Sequence, residues 1–140
     1  MNFEGDLSFL QRKMAASSAG VQRRQAVMEA LNVRSGQSIL DLGCGGGHLV
    51  EELARAVGPH GKAFGLDPSK TQIQAARERC NRFDQATFFC CMADEIALKA
   101  ASCDAVASIQ TLEYIEDVDA ALSAVIPLLK TQSKFVNISI

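Results

Sequence analysis

Short apolar runs alternate with segments of helical periodicity along most of the chain. Apolar residues recur three and four positions apart in four segments, which predicts helices over 21–33, 49–57, 70–82 and 119–129. Five short apolar runs predict strands over 38–42, 63–66, 86–91, 105–109 and 135–140. The first twenty residues carry a weaker pattern, so no element is predicted there.

The order of these elements predicts the fold class. Strands that are apolar throughout, rather than alternating, are typical of a parallel sheet buried on both faces. Right-handed crossovers place helices on each side of such a sheet. We therefore predict an α/β fold with a doubly wound, mostly parallel sheet in residues 21–140, preceded by a weakly patterned segment in residues 1–20.

Composition and charge narrow the classes of protein. With 140 residues, of which 48% are hydrophobic and 21% charged, the chain fits one soluble globular domain. The formal net charge of -2 gives no basic surface for phosphates, so a nucleic-acid partner is disfavoured. No apolar run approaches the roughly 20 residues that span a bilayer, and the N-terminus lacks the positive charge of a signal peptide. We therefore expect no membrane partner and a cytoplasmic location.

The cysteines favour a reducing compartment over a disulfide framework. There are five, an odd number, and neither a CxxC pair nor histidines at ligand spacing accompany them. We therefore expect free thiols and no metal site. Adjacent Cys90 and Cys91 close the third predicted strand, where we expect both to be buried.

The residues that follow the predicted strands carry the candidate chemistry, because ligands of doubly wound sheets bind beyond the carboxyl ends of the strands. The first strand ends in Asp41-Leu-Gly-Cys-Gly-Gly-Gly47. Glycines at 43, 45 and 47 permit positive φ and leave no Cβ in the way of a ligand, while the next helix points its positive end at the loop. This loop suits an anionic or zwitterionic group attached to a flat, adenosine-like body.

Two further carboxylates extend this candidate site. Asp67 follows the second strand, 20 residues beyond Gly47, at about the spacing where an acid accepts hydrogen bonds from ribose hydroxyls. Asp94 follows the third strand, where a carboxylate can accept a hydrogen bond from an adenine amino group while Met92 packs against the ring. Each acid alone has an ordinary interpretation as a helix-capping residue. Together with the glycine loop, they predict a nucleoside pocket.

Three segments together carry a family resemblance, namely Ile39-Leu-Asp-Leu-Gly-Cys-Gly-Gly-Gly47, Gly65-Leu-Asp67 and Ala93-Asp94. They resemble class I S-adenosylmethionine-dependent methyltransferases. The stretch over 103–117 is similar to the fourth-strand motif and following loop in the small-molecule, quinone-biosynthesis branch of that family. The resemblance covers roughly residues 21–129 and implies a Rossmann-like sheet with strand order 3-2-1-4-5.

The resemblance implies a role for each matching residue in holding S-adenosyl-L-methionine. The loop would hold the methionine moiety through Asp41, Gly43, Cys44, Gly45 and Gly47. Asp67, with Pro68 beside it, would bind the ribose hydroxyls. Asp94 and the Ala93 backbone would bind the adenine, and Gln110 would face the transferring methyl group. The family often needs no acid or base, so no catalytic residue is named, and the implied partner is a small-molecule methyl acceptor.

The end of the chain departs from the family pattern. The complete family sheet has seven strands in the order 3-2-1-4-5-7-6, and only five are predicted here. The usual Pro-Gly-Gly turn before the fifth strand is replaced by Leu129-Lys-Thr-Gln-Ser-Lys134. We therefore expect a domain that is incomplete at its C-terminus and whose last strand is an exposed edge. Two chains would pair through this edge as a homodimer.

Two other functions stay open from the residues. A non-catalytic module that binds S-adenosylmethionine would keep the pocket without methyl transfer. An NAD-dependent oxidoreductase would use the same fold with Asp67 on the ribose, although the nicotinamide fingerprint needs glycine at the position of His48. We expect His48 to be a surface or capping residue rather than a catalytic base.

Overall fold

One parallel sheet forms the centre of the fold in the computed structural model, which describes residues 3–15, 17–109, 111–112 and 115–138. Its strands are β1 (Ser38–Leu42), β2 (Lys62–Leu66), β3 (Ala86–Phe89), β4 (Cys103–Ile109) and β5 (Leu129–Ile138). Every neighbouring pair is parallel, and the strand order is β3-β2-β1-β4-β5. The predicted α/β class and strand order are confirmed.

Helices connect the strands and cover both faces of the sheet. They are α1 (Phe3–Ala15), α2 (Ser18–Leu31), α3 (His48–Val57), α4 (Lys70–Arg79) and α5 (Val118–Val125), with 3-10 turns at Ala93–Glu95 and Ile126–Leu128. On one face, Val27 of α2 and Leu53 of α3 belong to the same apolar cluster. On the other face, Val125 of α5 packs in a cluster with Leu40 and Val106. Burial on both faces explains why the strands are apolar throughout.

The ends of the helices differ from the predicted ones for local reasons. The helix predicted over 21–33 is α2, which begins earlier because Ser17 caps it by accepting a hydrogen bond from the N–H of Gly20 at 3.3 Å. It ends before Asn32, which adopts a left-handed φ of 48°. α4 is shorter than the helix predicted over 70–82. The helix predicted over 119–129 changes to a 3-10 turn at Pro127, which has no N–H to donate.

β3 is shorter than predicted, and this changes the environment of two cysteines. The strand ends at Phe89 rather than at residue 91. Cys90 is therefore exposed and Cys91 is half-buried, so the prediction that both are buried is wrong. All five cysteines are free thiols.

β5 starts before its predicted first residue and contains an irregularity. The register between β4 and β5 shifts just before Ala105, which pairs with Lys134. The strand is irregular there, with Gln132 at a φ of 63° and the Ser133 hydroxyl donating to the backbone carbonyl of Lys130. The segment 129–134, which replaces the Pro-Gly-Gly turn, thus lies within β5. Within the described part of the chain β5 pairs with β4 alone and forms one edge of the sheet, while residues 139–140 lie outside that part.

The N-terminal segment forms a helix where no element was predicted. α1 packs against α2 and α4, and it buries Ser8 while Phe9, Leu10 and Met14 are exposed. Apolar residues recur at positions 3, 7, 10 and 14, a helical spacing that the prediction missed. None of the helices described here is long and apolar enough to cross a membrane.

Candidate cofactor-binding site

The loop between β1 and α3 has the backbone conformation that its glycines predict. Gly43, Gly45 and Gly47 have φ values of 74°, 54° and 85°, in the left-handed region that other residues rarely adopt. Gly47 is also the N-cap residue of α3, so the positive end of that helix dipole lies at the loop. The N–H groups of Gly43 and Cys44 both donate to the carbonyl of Leu66 at 2.8 Å, which fixes the loop against the end of β2.

The glycines differ in what surrounds them. A Cβ on Gly43 would lie 2.3 Å from Oγ1 of Thr111, and a Cβ on Gly47 would lie 2.9 Å from Cα of Ala76 in α4. These two positions are closed by close packing. A Cβ on Gly45 would have Nε2 of Gln72 at 3.5 Å as its nearest neighbour, an ordinary contact. Gly45 is therefore the open position of the loop, where a ligand can lie against the backbone.

Asp67 connects the end of β2 to this loop. Its Oδ2 accepts a hydrogen bond from the N–H of Gly45 at 3.1 Å, and its Oδ1 accepts one from the N–H of Ser69 at 2.9 Å. These two bonds orient the carboxylate between the glycine loop and the residue that precedes α4. Pro68, beside it, is exposed and its carbonyl accepts from the Cys90 thiol at 3.6 Å.

Asp41 lies under the loop, near the end of β1. The residue is only 3% exposed, and in the sheet it is in register with Gly65 on one side and Ala107 on the other. Burial, together with the negative charge of Asp67, raises the pKa of Asp41 well above its usual value. A cationic group bound near the loop would favour the charged form of this carboxyl group.

The end of β3 supplies the third predicted segment. Ala93 and Asp94 lie in the 3-10 turn, whose start is fixed by the N–H of Met92 donating to Oε1 of Glu95 at 3.0 Å. Ala93 is buried, Asp94 is exposed, and Met92 is 47% exposed although it is a large apolar residue. An exposed apolar side chain next to an exposed carboxylate is a suitable surface for a flat, polar-edged ring.

Cys44 and His48 have environments that argue against reactive roles. Cys44 is buried in the loop, and burial with the nearby negative charges of Asp41 and Asp67 raises the pKa of its thiol. Burial and the positive charges of Arg79 and Arg24 lower the pKa of His48 to about 4. His48 is therefore uncharged at neutral pH, and a base with such a low pKa is a weak proton acceptor.

Sequence reasoning missed a group of polar contacts between α1 and the loop. Gln72 of α4 is only 2% exposed, and its Nε2 donates to Oε1 of Gln11 at 2.8 Å. Arg12 donates to Oε1 of Gln72 at 3.4 Å, and its aliphatic part lies where a Cβ on Gly46 would fall, 2.9 Å from Arg12 Cδ. Ser8 Oγ lies 3.4 Å from Ser69 Oγ. A buried glutamine on a helix gives no sequence signal that could have revealed these contacts.

The predicted site residues lie at the carboxyl ends of neighbouring strands, with one exception. Asp41, the loop and Asp67 come together at the adjacent ends of β1 and β2, and Ala93 and Asp94 follow the neighbouring β3. Gln110 lies outside the described residues, so the role predicted for it beside the methyl group stays a prediction. Over the described ranges, no group of three or more His, Cys, Asp or Glu side chains is placed to hold a metal ion.

Comparison with known proteins places the chain in a family. A family model described as "Methyltransferase domain" matches residues 33–140, which is most of the chain. The chain therefore belongs to the methyltransferase domain family, and its fold is that of class I S-adenosylmethionine-dependent methyltransferases. S-Adenosylmethionine is the cofactor that defines this class.

Two curated relatives show how much of the chain is matched. The chain is 28% identical over 131 residues to an uncharacterised 37.1 kDa transposon protein of Streptomyces fradiae, and the match covers 94% of this chain and 38% of the relative. It is 30% identical over 95 residues to a ubiquinone biosynthesis O-methyltransferase of Bartonella quintana, covering 67% of this chain and 37% of the relative. The chain thus spans less than two-fifths of the length of these relatives.

A solved structure shows the same fold. A SAM-dependent methyltransferase from Aquifex aeolicus superimposes with a TM-score of 0.78 at 18% sequence identity, covering 92% of this chain and 69% of the other. At this identity the likeness concerns the fold.

Proposed function

We propose that this domain binds S-adenosyl-L-methionine at the loop between β1 and α3 and serves methyl transfer to a small-molecule acceptor. The observation that carries the proposal is the position of Asp67, whose carboxylate accepts a hydrogen bond from the N–H of Gly45 at the open position of the loop. A carboxylate beside a glycine backbone offers acceptors for ribose hydroxyls and room for the rest of the cofactor. Family membership supports the choice of cofactor.

The loop and Asp41 would hold the amino-acid end of the cofactor. Backbone N–H groups near the start of α3 suit a carboxylate, because the helix dipole adds positive potential there. Asp41 suits the ammonium and sulfonium charges, since its buried carboxyl group ionises more readily beside a cation. Gly43, Cys44 and Gly47 would shape this part of the pocket through their backbone.

The ends of β2 and β3 would hold the nucleoside. Asp67 would accept hydrogen bonds from the ribose hydroxyls, with Pro68 at the rim. Asp94 and the backbone of Ala93 would bind the polar edge of the adenine, and exposed Met92 would cover its ring. Gln110 is proposed to face the methyl group, on its sequence position after β4 alone.

Methyl transfer itself needs little chemistry from the chain. When bound, S-adenosylmethionine supplies a methyl group already activated on a sulfonium. The residues of the chain then contribute by holding donor and acceptor in line and by excluding water. No side chain is proposed as a general base, and His48, with its pKa of about 4, is not a candidate.

Several finer statements accompany the proposal. We propose residues 21–140 as the cofactor-binding domain, with the family match over 33–140 in support. The quinone-biosynthesis relatives support a small-molecule acceptor, and the net charge of -2 disfavours nucleic acid as one. A cytoplasmic location and a homodimer paired along β5 stay predictions from the sequence.

Equilibrium titration tests the proposal. The full chain is titrated by calorimetry with S-adenosylmethionine, S-adenosylhomocysteine and reduced NAD, and we expect the first two alone to bind. Transfer of a labelled methyl group onto small hydroxylated aromatic compounds is then measured. Binding without transfer would favour a non-catalytic module, and binding of reduced NAD alone would favour an oxidoreductase.

A further inference from the structure

α1 turns polar side chains inward and apolar side chains outward, the reverse of an ordinary surface helix. Its inner face carries Ser8, which is 2% exposed, and Arg12, which reaches Gln72. Its outer face carries large apolar side chains, with Phe9 59%, Leu10 55% and Met14 59% exposed. Surface helices usually place apolar residues inward and polar residues outward. The reversal means that α1 has an apolar face for which the described residues provide no cover.

The exposed apolar residues of the chain are concentrated on this helix. Among the six large hydrophobic residues that are most exposed in the described part of the chain, three lie on α1. The others are spread over Val21, Met92 and Ile126. Single exposed apolar residues are ordinary, whereas a contiguous patch marks an interaction surface.

The charges on the same face indicate what the patch binds. Asp6 and Lys13 are both exposed and lie seven residues, about two turns, apart, so they are on one side of the helix. With about 3.6 residues per turn, Asp6 and Lys13 point in a direction between those of Phe9 and Leu10. The point midway between the two charges lies between Phe9 and Leu10. A two-fold axis at that point would bring Asp6 against the partner's Lys13 and Lys13 against the partner's Asp6.

We propose that the outer face of α1 is a dimer interface, in which α1 of one chain packs antiparallel on α1 of a second copy. Such an isologous contact is self-complementary in shape and in charge. Phe9 and Leu10 would pack at its centre, and two equivalent Asp6–Lys13 ion pairs would fix the direction of the helices. With no net charge from this pair and no basic surface, the face does not have the composition of a helix that binds anionic lipid.

The inner face of α1 makes this interface more than an external contact. Arg12 lies over Gly46 of the glycine loop, and Gln72 links α1 to the N-terminal part of α4. Pairing of two chains through the outer face would hold α1 in place against this loop. The interface itself does not depend on methyl transfer and can be tested without any cofactor.

Sedimentation equilibrium of the full chain over a wide concentration range tests the proposal. We expect a reversible monomer–dimer equilibrium, and we expect Phe9→Glu or Leu10→Glu to raise the dissociation constant at least about tenfold. Ile126→Glu is the matched control, because Ile126 is 55% exposed on a 3-10 turn elsewhere in the fold. It should leave the dissociation constant unchanged. Circular dichroism checks that each variant is folded.

Charge exchange tests the antiparallel arrangement itself. Asp6→Lys and Lys13→Asp should each weaken the dimer, because each creates two like-charge contacts across the axis. The variant that carries both exchanges should recover most of the affinity, since the pairs are restored with reversed sign. A chain that is monomeric throughout the concentration range would overturn the proposal. So would a dimer indifferent to all α1 variants, which would point to β5, or a monomer that binds phospholipid vesicles.

Discussion

α1 and α3 both lie against the glycine loop, yet opposite forces hold them there. α3 buries an apolar face that includes Leu49, Leu53 and Val57. α1 instead turns Ser8 and Arg12 inward and leaves Leu10 exposed. Removal of apolar surface from water holds α3, whereas the contacts described for α1 are hydrogen bonds, of which a typical one contributes about 0.5–1.5 kcal/mol. We therefore expect α1 to be more weakly attached to the loop than α3.

Truncation of one leucine in each helix gives the largest expected contrast. Leu53→Ala should lower the free energy of unfolding by about 2–5 kcal/mol, because Leu53 is fully buried. Leu10→Ala, the matched change on α1, should lower it by less than about 0.5 kcal/mol at concentrations where the chain is monomeric. Urea unfolding of both variants measures the difference. Equal losses would show that α1 is packed through its apolar face.

The next largest contrast is between two adjacent glycines of the loop, Gly47 at the start of α3 and Gly46 beneath α1. Gly47→Ala should destabilise the fold by about 1–3 kcal/mol, because φ is 85° and the new Cβ meets Cα of Ala76. Gly46→Ala should cost less than about 1 kcal/mol, because the atoms nearest to its Cβ belong to the flexible side chain of Arg12 and Gln72 Oε1 is at an ordinary contact distance of 3.7 Å. Thermal unfolding compares them. A larger loss for Gly46→Ala would contradict the weak attachment of α1.

The carboxyl group of Asp41, which is buried in β1 below the loop, gives a pH-dependent prediction. The pKa of Asp41 is raised in the ligand-free chain, so a cationic ligand that favours the ionised carboxylate releases a proton on binding. Affinity for S-adenosylmethionine should therefore rise with pH through that raised pKa, by no more than about tenfold per pH unit, and level off above it. Calorimetry across pH measures this slope.

Asp41→Asn is the control for this effect, because it keeps the shape of the side chain and removes its ionisation. Its affinity for S-adenosylmethionine should be nearly independent of pH. In the parent chain the folded state binds the extra proton, so stability of the ligand-free fold falls as pH rises through the raised pKa. The variant should lose this dependence as well. An unchanged pH profile would assign the proton to another group.

The smallest expected effect concerns the link between α1 and the loop. Gln72→Ala removes the hydrogen bond to Gln11 at 2.8 Å and the long, weak one to Arg12 at 3.4 Å, so stability should fall by about 0.5–1.5 kcal/mol, the contribution of one typical hydrogen bond. Amide hydrogen exchange should rise in α1 and stay unchanged in α3. Gln74→Ala, two residues along the same helix at an exposed position, is the control. Faster exchange in both helices would show that they form one cooperative unit.

Some parts of the fold and of the site were predicted from the sequence, and others were not. β1 and the glycine loop are recognisable because buried apolar runs and positive φ values demand particular residue types, and the structure places these elements where they were predicted. α1 was not predicted, although apolar residues at positions 3, 7, 10 and 14 have helical spacing. The irregularity within β5 was not predicted either, because Gln132 takes a positive φ, for which glycine is the usual sequence signal. Contacts made by Gln72 depend on tertiary structure alone.

The affinity of the Asp67→Ala variant for S-adenosylhomocysteine tests the central claim most directly. If Asp67 binds the ribose hydroxyls, the variant should bind about 1–3 kcal/mol more weakly than the parent chain, through loss of charge-assisted hydrogen bonds. Asp84→Ala is the control. Asp84 is exposed and precedes the amino end of β3, whereas the site lies at the carboxyl ends of the strands, so this variant should bind as the parent does. Equal affinity of the parent and Asp67→Ala, with both chains folded, would contradict the assignment of this loop as the cofactor site.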